Sequence, residues 1–276
     1  MNDLIQQIRA LGFQKHPLVD FGLAHYYHAD QDFMIQVVPS TSFLEIKKQD
    51  KVRVFQQHIT QLRSQFKTVI RIWEDVWLFK KSWISQFLTS KFEPPRSIFA
   101  RDTRVVEISK DLAESFLAAN HLLGFLPGSR YYACIVPPHR HFRIQPTRFR
   151  KEENPLIMVA VFGQVRHMKR GDLAGKASGE LIQVATDPDV RCVGGLSKLI
   201  SSYANELNLD NLMTYTDLEW SDGHAFQQIG FVSELESPPL YFSHDSLGLR
   251  KISQNPEDAL ACNSGNLKMR ITFNHE

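Results

Sequence analysis

Residues 181–186 read as a buried strand. After Asp187-Pro188-Asp189-Val190 the chain enters Arg191-Cys192-Val193-Gly194-Gly195-Leu196-Ser197-Lys198-Leu199, a two-glycine turn that opens a helix over 194–207. Such a junction aims unpaired backbone N–H groups and the positive end of a helix at one point, which suits a phosphate. Two adjacent glycines serve equally well as plain turn residues, and neither the GxxxxGK[ST] loop nor the three-glycine dinucleotide pattern is present. Glu180 lies on the same strand, a carboxylate that could take a proton from an attacking amine. A second strand, 212–216, leads into Tyr215-Thr216-Asp217 at its carboxyl end, where α/β folds gather functional groups. Asp217, Trp220 and Ser221 read either as a polar cluster beside a cleft, or as a core tryptophan with Asp217 or Ser221 capping the next helix.

Two further groups of residues have chemical content. Phe43-Leu44-Glu45-Ile46-Lys47-Lys48 is expected to be a strand bearing a carboxylate-x-lysine pair, the kind of arrangement that holds Mg²⁺ in a nuclease, and His25, His28, Asp30 and Asp32 are alternative ligands in a polar loop. A lone Glu and Lys two apart arise often by chance, and histidines and acids in a loop are commonly just solvated, so no metal is assigned. Glu74 and Asp75 suit a helix start, and His121 a helix end. Between two strong strands lie Arg140, Arg143, Arg148, Arg150 and Lys151, interleaved with His139, His141, Phe142 and Phe149. Cations with aromatics suit phosphates and unstacked bases; a solvated hairpin followed by Glu152 and Glu153 is the alternative.

The glycine turn resembles the signature of the GNAT-type acyl-CoA N-acyltransferases, Q/R-x-x-G-x-G/A. Arg191 and Gly194 match its first and fourth positions, and Leu196 stands where the family has a small residue. Downstream, Phe226-Gln227-Gln228-Ile229-Gly230-Phe231 resembles the family's Y-x-x-x-G-F element, with Phe226 in place of the tyrosine that often acts as general acid. A broader resemblance is to phage-encoded proteins that join a very-short-patch-repair-type nuclease domain to a GNAT-like domain. It runs through Ile72-Trp73-Glu74-Asp75-Val76-Trp77, Ile98-Phe99-Ala100-Arg101, Asn120-His121-Leu122-Leu123-Gly124, Val193 to Leu199 and Tyr215-Thr216-Asp217-Leu218-Glu219-Trp220-Ser221-Asp222-Gly223. The resemblance implies acetyl-CoA or another acyl-CoA as cosubstrate, held by Val184, Arg191, Val193, Gly194, Gly195, Leu196 and Ser197. Glu180, Asp217 and Ser221 are the catalytic candidates, and the acceptor is left open between a protein, a small amine and a nucleic-acid base. The alternative is a DNA-binding phage or mobile-element protein, related to homing endonucleases, with little or no transferase activity.

The elements that must position these residues follow from composition and pattern. The 276 residues are 43% hydrophobic and 22% charged with a net charge of +2, an ordinary globular composition that excludes disordered and fibrous classes. The net charge conceals a split, with 15 basic against 10 acidic residues over 1–104 and 17 against 20 over the rest. Three scattered cysteines argue against a disulfide framework or a cysteine zinc site. The first residues lack the basic start and apolar run of a signal peptide, and no 18 apolar residues follow one another, so a cytoplasmic chain without membrane contact is expected. The spacing predicts a helix at 2–12, strands at 33–38 and 43–46, a helix at 51–66 with Val54, Ile59, Leu62 and Phe66 inward, a strand at 68–73 and a helix at 77–88. After Pro94-Pro95, strands are expected at 98–100, 104–108, 131–136, 156–162, 180–185 and 212–216, helices at 109–121, 194–207 and 221–229, and then a loop-rich tail with one strand at 238–242. The pattern predicts an α/β architecture, and the resemblance implies a smaller, degenerate nuclease-like domain over 1–102, then a GNAT-like mixed sheet flanked by helices over 103–276.

The basic stretch generates the first prediction. If Arg140, Arg143, Arg148 and Arg150 track a phosphate backbone, oligonucleotide affinity falls steeply with salt, and removing one arginine lowers the log–log salt slope by about 1. Titrations of the wild type and a four-arginine-to-alanine variant across a salt series check this, and equal slopes would release the stretch from nucleic acid.

Overall fold

The structure, a computed structural model, describes residues 1–18, 20–137, 139–140, 155–245 and 250–274. In chain order the elements are α1 (Asn2–Ala10), β1 (Gln14–His16), β2 (Ala24–His28), β3 (Phe33–Val38), α2 (Ser40–Lys48), α3 (Val52–Arg63), β4 (Thr68–Trp73), α4 (Glu74–Phe92), β5 (Arg96–Phe99), β6 (Arg104–Glu107), α5 (Lys110–Asn120), β7 (Arg130–Ile135), β8 (Leu156–Phe162), β9 (Arg166–His167), β10 (Ala177–Thr186), β11 (Val190–Val193), α6 (Gly195–Glu206), β12 (Asn211–Asp217), α7 (His224–Gln227), β13 (Val232–Ser237), β14 (Tyr241–His244), β15 (Arg250–Ile252), β16 (Ala261–Cys262) and β17 (Asn266–Thr272). Two compact units share them: unit 1 takes Met1–Ser85, Thr216–Gln227 and Ser233–Lys268, and unit 2 takes Gln86–Tyr215, Gln228–Val232 and Met269–Glu276. The expected division near Asp102 does not coincide with these units, because 216–227 and 233–268 group with the N-terminal residues.

In unit 1, β1, β2 and β3 form an antiparallel meander, and β4 joins β3 in parallel after the crossover through α2 and α3. All six residues of β3 are buried, as a strand covered on both faces requires. Its one polar residue, Gln36, lies opposite His25 of β2 on one side and Arg71 of β4 on the other. All three are fully buried, so their hydrogen bonds must be found inside the protein. Arg71 Nε donates to Gln36 Oε1 at 2.6 Å, Nη2 to the Phe55 carbonyl at 3.0 Å, and Nη1 to Ser264 Oγ at 2.9 Å and Glu219 Oε1 at 3.2 Å. The guanidinium also lies 3.8 Å over the Phe55 ring, and Trp73 Nε1 donates to Glu219 Oε2 at 2.9 Å.

Arg71 thereby orients the Gln36 amide. With its oxygen taken, the amide nitrogen faces His25 Nε2 at 2.9 Å and His58 Nδ1 at 3.3 Å, and both ring atoms must accept. This assigns neutral rings, protonated at His25 Nδ1 and His58 Nε2. The His58 proton goes to Asp20 Oδ2 at 2.9 Å, whereas the buried His25 ring faces the backbone of Leu18 and Leu23. The same unit holds a second buried acid, Asp75, which accepts from Arg250 Nε and Nη2 at 2.7 and 3.0 Å and from His244 Nε2 at 2.9 Å.

Several expectations for this unit are corrected. Residues 43–46 are helical, part of α2, because Phe43 and Ile46 are both buried, a spacing of three that a strand cannot put on one face. The Glu45-x-Lys47 pair is therefore not on a strand: Glu45 pairs with exposed Lys48 at 2.7 Å, and Lys47 Nζ donates to the Glu257 carbonyl. His25 and His28 belong to strand β2, not to a polar loop. On α3 the inward residues are Phe55, His58, Ile59 and Leu62, while Val54 is exposed. The tail is not one strand in a loop but β13 to β17, with β14, β15 and β16 forming a small antiparallel sheet.

Unit 2 is built on a mixed sheet in which β12, β10, β8, β7 and β6 follow in that order, with β9 also paired to β10. Ser109 caps α5 by accepting the Leu112 N–H, and Ala113, Phe116 and Leu117 pack on Ala133, Ile135, Val159, Val161 and Ala185. Phe162, one residue on from Val161 and so on the other face, stacks on Tyr203 of α6 with centroids 3.9 Å apart. Helices thus cover both faces, as the α/β reading expects.

The assigned tautomers carry a pH consequence. Burial lowers the His25 pKa from 6.5 to about 4, so the unfolded chain binds that proton first. Stability from the neutral ring is complete above about pH 6.5 and is lost as pH falls toward 4. An NMR titration of the histidine ring C–H signals should show one ring that stays neutral to about pH 4 and is absent from a His25→Gln variant.

Candidate functional site

The chemistry-bearing residues of unit 2 gather around β10. Opposite β8 the register runs Leu181↔Phe162 and then Gln183↔Val161, so Ile182 is an extra, bulged residue. A bulge re-aims the backbone locally and shifts which side chains share a face. Before it, Leu181 lies on the α6 face with Phe162; after it, Gln183 and Ala185 are on the α5 face and Val184 returns to the α6 side. On its other edge β10 pairs in parallel with β12 from Ser178↔Asn211 to Leu181↔Thr214, where the ladder ends although both strands run on. Thr214 Oγ1 closes this last rung by donating to the Leu181 carbonyl at 2.9 Å.

On the α6 side the glycine turn is built for two separate reasons. Gly194 has φ +78°, a left-handed conformation that disfavours side chains. Gly195 is tight against the core: a Cβ there would sit 2.4 Å from Cys192 Sγ and 3.2 Å from Met158 Sδ. Gly194 gives α6 no side-chain cap, so the first-turn N–H groups are without a helical acceptor. The Gly195 N–H faces the Cys192 sulfur, which leaves those of Leu196 and Ser197. Beneath the turn the buried thiols of Cys134 and Cys192 share a hydrogen bond, holding Cys134 below and Cys192 above the ordinary thiol range. Lys198 is turned away from the N–H groups, donating to the carbonyls of Ala100 and Thr103 at 2.8 and 2.5 Å. Arg191, Val193 and Gly194 are exposed, and Val184, Leu196 and Ser197 half-buried.

The three catalytic candidates divide. Glu180 is half-buried on β10, opposite Met213, so that exposed Tyr215, two residues on, shares its face of the sheet. Asp217 and Ser221 belong to unit 1 and serve a turn: Asp217 Oδ1 accepts the Glu219 N–H at 2.8 Å, its Oδ2 accepts from Asn263 at 3.3 Å, and Ser221 Oγ accepts the Gly223 N–H at 3.1 Å. Burial raises the Asp217 pKa, and pushes Glu219 up to about 7 against the pull of Arg71. Trp220 packs edge-on against Trp83. Gln183 and His121 hold the loop after α5, with Gln183 Oε1 accepting the Leu126 N–H at 2.7 Å and its Nε2 facing His121 Nδ1 at 3.1 Å. Arg140 pairs with Asp102 at 3.4 Å, whereas Arg143, Arg148 and Arg150 lie outside the described residues. Among the described residues no group of three or more His, Cys, Asp or Glu could hold a metal ion, and no helix is long and apolar enough to cross a membrane.

The sequence reading passed over Tyr215 as a reacting group, the bulge at Ile182 and the partner strand of β11. Tyr215 stood in plain view beside Asp217, but the bulge has no local signature.

No known family profile matches the chain, and no curated protein matches it in sequence. Among solved structures it is similar to a spermidine/spermine N-acetyltransferase from Vibrio cholerae, at 12% identity over 63% of this chain and 94% of that one, with a TM-score of 0.38. It is also similar to the ribosomal-protein-S18-alanine N-acetyltransferase from Escherichia coli, at 12% identity over 63% and 96% with a TM-score of 0.36. A chain of the NatC complex bound to Gag peptide and CoA gives 12% identity over 63% and 99% with a TM-score of 0.37.

The packing of Gly195 yields a test. Gly195→Ala should destabilise the protein by about 1–3 kcal/mol through overpacking, and Cys192→Ala in the same chain should recover part of the loss. Urea unfolding of the single and double variants measures both.

Proposed function

We propose that the chain is an acyl-CoA-dependent N-acyltransferase acting on an amine. The observation that carries this reading is the end of the β10–β12 ladder at a bulge, with the glycine-opened first turn of α6 on the same sheet face as Val184. The donors fit the group: Leu196 and Ser197 N–H would receive the pyrophosphate, and the exposed Arg191 would add positive charge beside it. The strand backbone at Val184 would receive the amide-bearing arm where β12 no longer pairs. Gly194 lets that approach occur without a side chain.

Coenzyme A, when bound, supplies an acyl group activated as a thioester. Glu180 would take the proton from the attacking amine, directly or through one water. The phenol of Tyr215, on the same face, would give a proton to the departing sulfur, a role that Phe226 has no group to fill. Asp217 and Ser221, bound into a turn of unit 1, are better suited to holding that turn than to proton transfer.

Calorimetric titration with acetyl-CoA tests the reading, and absence of binding at millimolar ligand would end it. With binding established and an amine panel screened by thiol release, Glu180→Gln should lower kcat by about 10²–10⁴-fold and leave the acetyl-CoA Kd unchanged. Tyr215→Phe should slow turnover in the same manner. Variants with full turnover would move the acid and base elsewhere.

A further inference from the structure

We infer that the outer face of the β5–β11 pair is a platform for the adenosine 3′,5′-bisphosphate end of coenzyme A. The two strands pair in parallel, with Arg191 opposite Ser97 and Val193 opposite Phe99. Alternation turns Ile98, Val190 and Cys192 inward, where they are buried, and leaves Phe99, Arg191 and Val193 on the outer face. Phe99 is 44% and Val193 38% exposed, so the pair forms a small apolar floor. The Arg101 guanidinium lies 4.9 Å from the centroid of the Phe99 ring.

Neither Arg101 nor Arg191 is paired with a carboxylate among the described residues, unlike Arg71, Arg130 and Arg250, which each hold one. An exposed ring with the Arg101 guanidinium beside it and Arg191 on the same outer face of the strand pair matches a ligand that joins a flat base to phosphate. The base stacks on the ring, and the guanidiniums make charge-assisted hydrogen bonds to phosphate oxygens. A nucleic-acid strand needs successive aromatic stacking positions, and among the described residues this face has one, which suits a single nucleotide. Val193 immediately precedes Gly194, which makes the platform continuous along the chain with the turn proposed for the pyrophosphate. The choice of nucleotide rests on the acyl-CoA reading. The platform rests on the strand register.

Full-length protein is titrated with coenzyme A, adenosine 3′,5′-bisphosphate, 4′-phosphopantetheine and a labelled single-stranded oligonucleotide, using wild type, Phe99→Ala, Phe99→Tyr and Arg191→Gln. Phe99→Ala should weaken coenzyme A and the bisphosphate roughly tenfold, spare phosphopantetheine, and be rescued in Phe99→Tyr. Arg191→Gln should weaken both the bisphosphate and coenzyme A. Because Phe99 is exposed, circular dichroism should show unchanged folding. Coenzyme A bound equally by wild type and Phe99→Ala would overturn the platform while leaving the transferase reading intact. Bisphosphate bound through Phe99 without any binding of coenzyme A would sustain the platform and remove the transferase reading. Binding of the oligonucleotide alone, or of nothing, would overturn both.

Discussion

A guanidinium sealed from water is the constraint around which unit 1 is arranged. The Arg71 side chain is fully buried, and an uncompensated charge there would be prohibitive. Its compensation comes from four places far apart in sequence: Gln36 on β3, the Phe55 carbonyl on α3, Glu219 after β12 and Ser264 before β17. The Arg71 backbone N–H also donates to the Glu219 carbonyl at 3.1 Å. A segment near residue 219 therefore cannot be omitted from a unit that begins at residue 1. That need is the physical reason the chain is interleaved rather than divided at a linker. Its closure joins residues separated by 148 positions, a non-local contact of the kind that slows folding.

What could be read in the sequence was what depends on local pattern. Residues 156–162, 68–73 and 33–38 carry the β-branched content of buried strands, and β8, β4 and β3 occupy those bounds. Ser109 and Asp111 marked the start of α5, and Gly194 the start of α6, since caps and left-handed turns have residue-level causes. The failures have a common origin in tertiary contact. Phe43-Leu44-Glu45-Ile46 is a short, mostly apolar run compatible with strand or helix, and only burial of both ends selects the helix. Leu267, Met269 and Ile271 do alternate with Asn266, Lys268 and Arg270, a strand pattern obscured by polar surroundings. Nothing local in Thr-Val-Ile-Arg-Ile-Trp marks the role of Arg71, because its acid lies 148 positions away.

The candidate site shows the same division. The glycine turn was legible because a left-handed residue at a helix start favours glycine. Glu180 could be read from its strand, whereas its sharing of a face with Tyr215 could not, since side chains on β10 and β12 share a face only through a register set by the whole sheet. Asp217 looked functional from its place after a strand, yet its oxygens are committed to the Glu219 N–H and Asn263. Its geometry supports the loop that delivers Glu219 to Arg71, so its carboxylate serves unit 1 before any substrate.

The amide at Gln36 has a wider meaning for the core. It links a permanent cation to two titratable rings, and it conveys polarity in one direction, from Arg71 through oxygen to nitrogen and out to both imidazoles. A carboxylate of the same shape at this position would present oxygen on every side. Both rings would then be drawn to donate, His25 by moving its proton from Nδ1 to Nε2 and His58, whose Nε2 hydrogen is committed to Asp20, only by gaining one, so that charge would enter a core that is neutral at its histidines. One nitrogen atom in place of an oxygen thus decides whether the centre of this sheet behaves as an insulator or as a reservoir of protons.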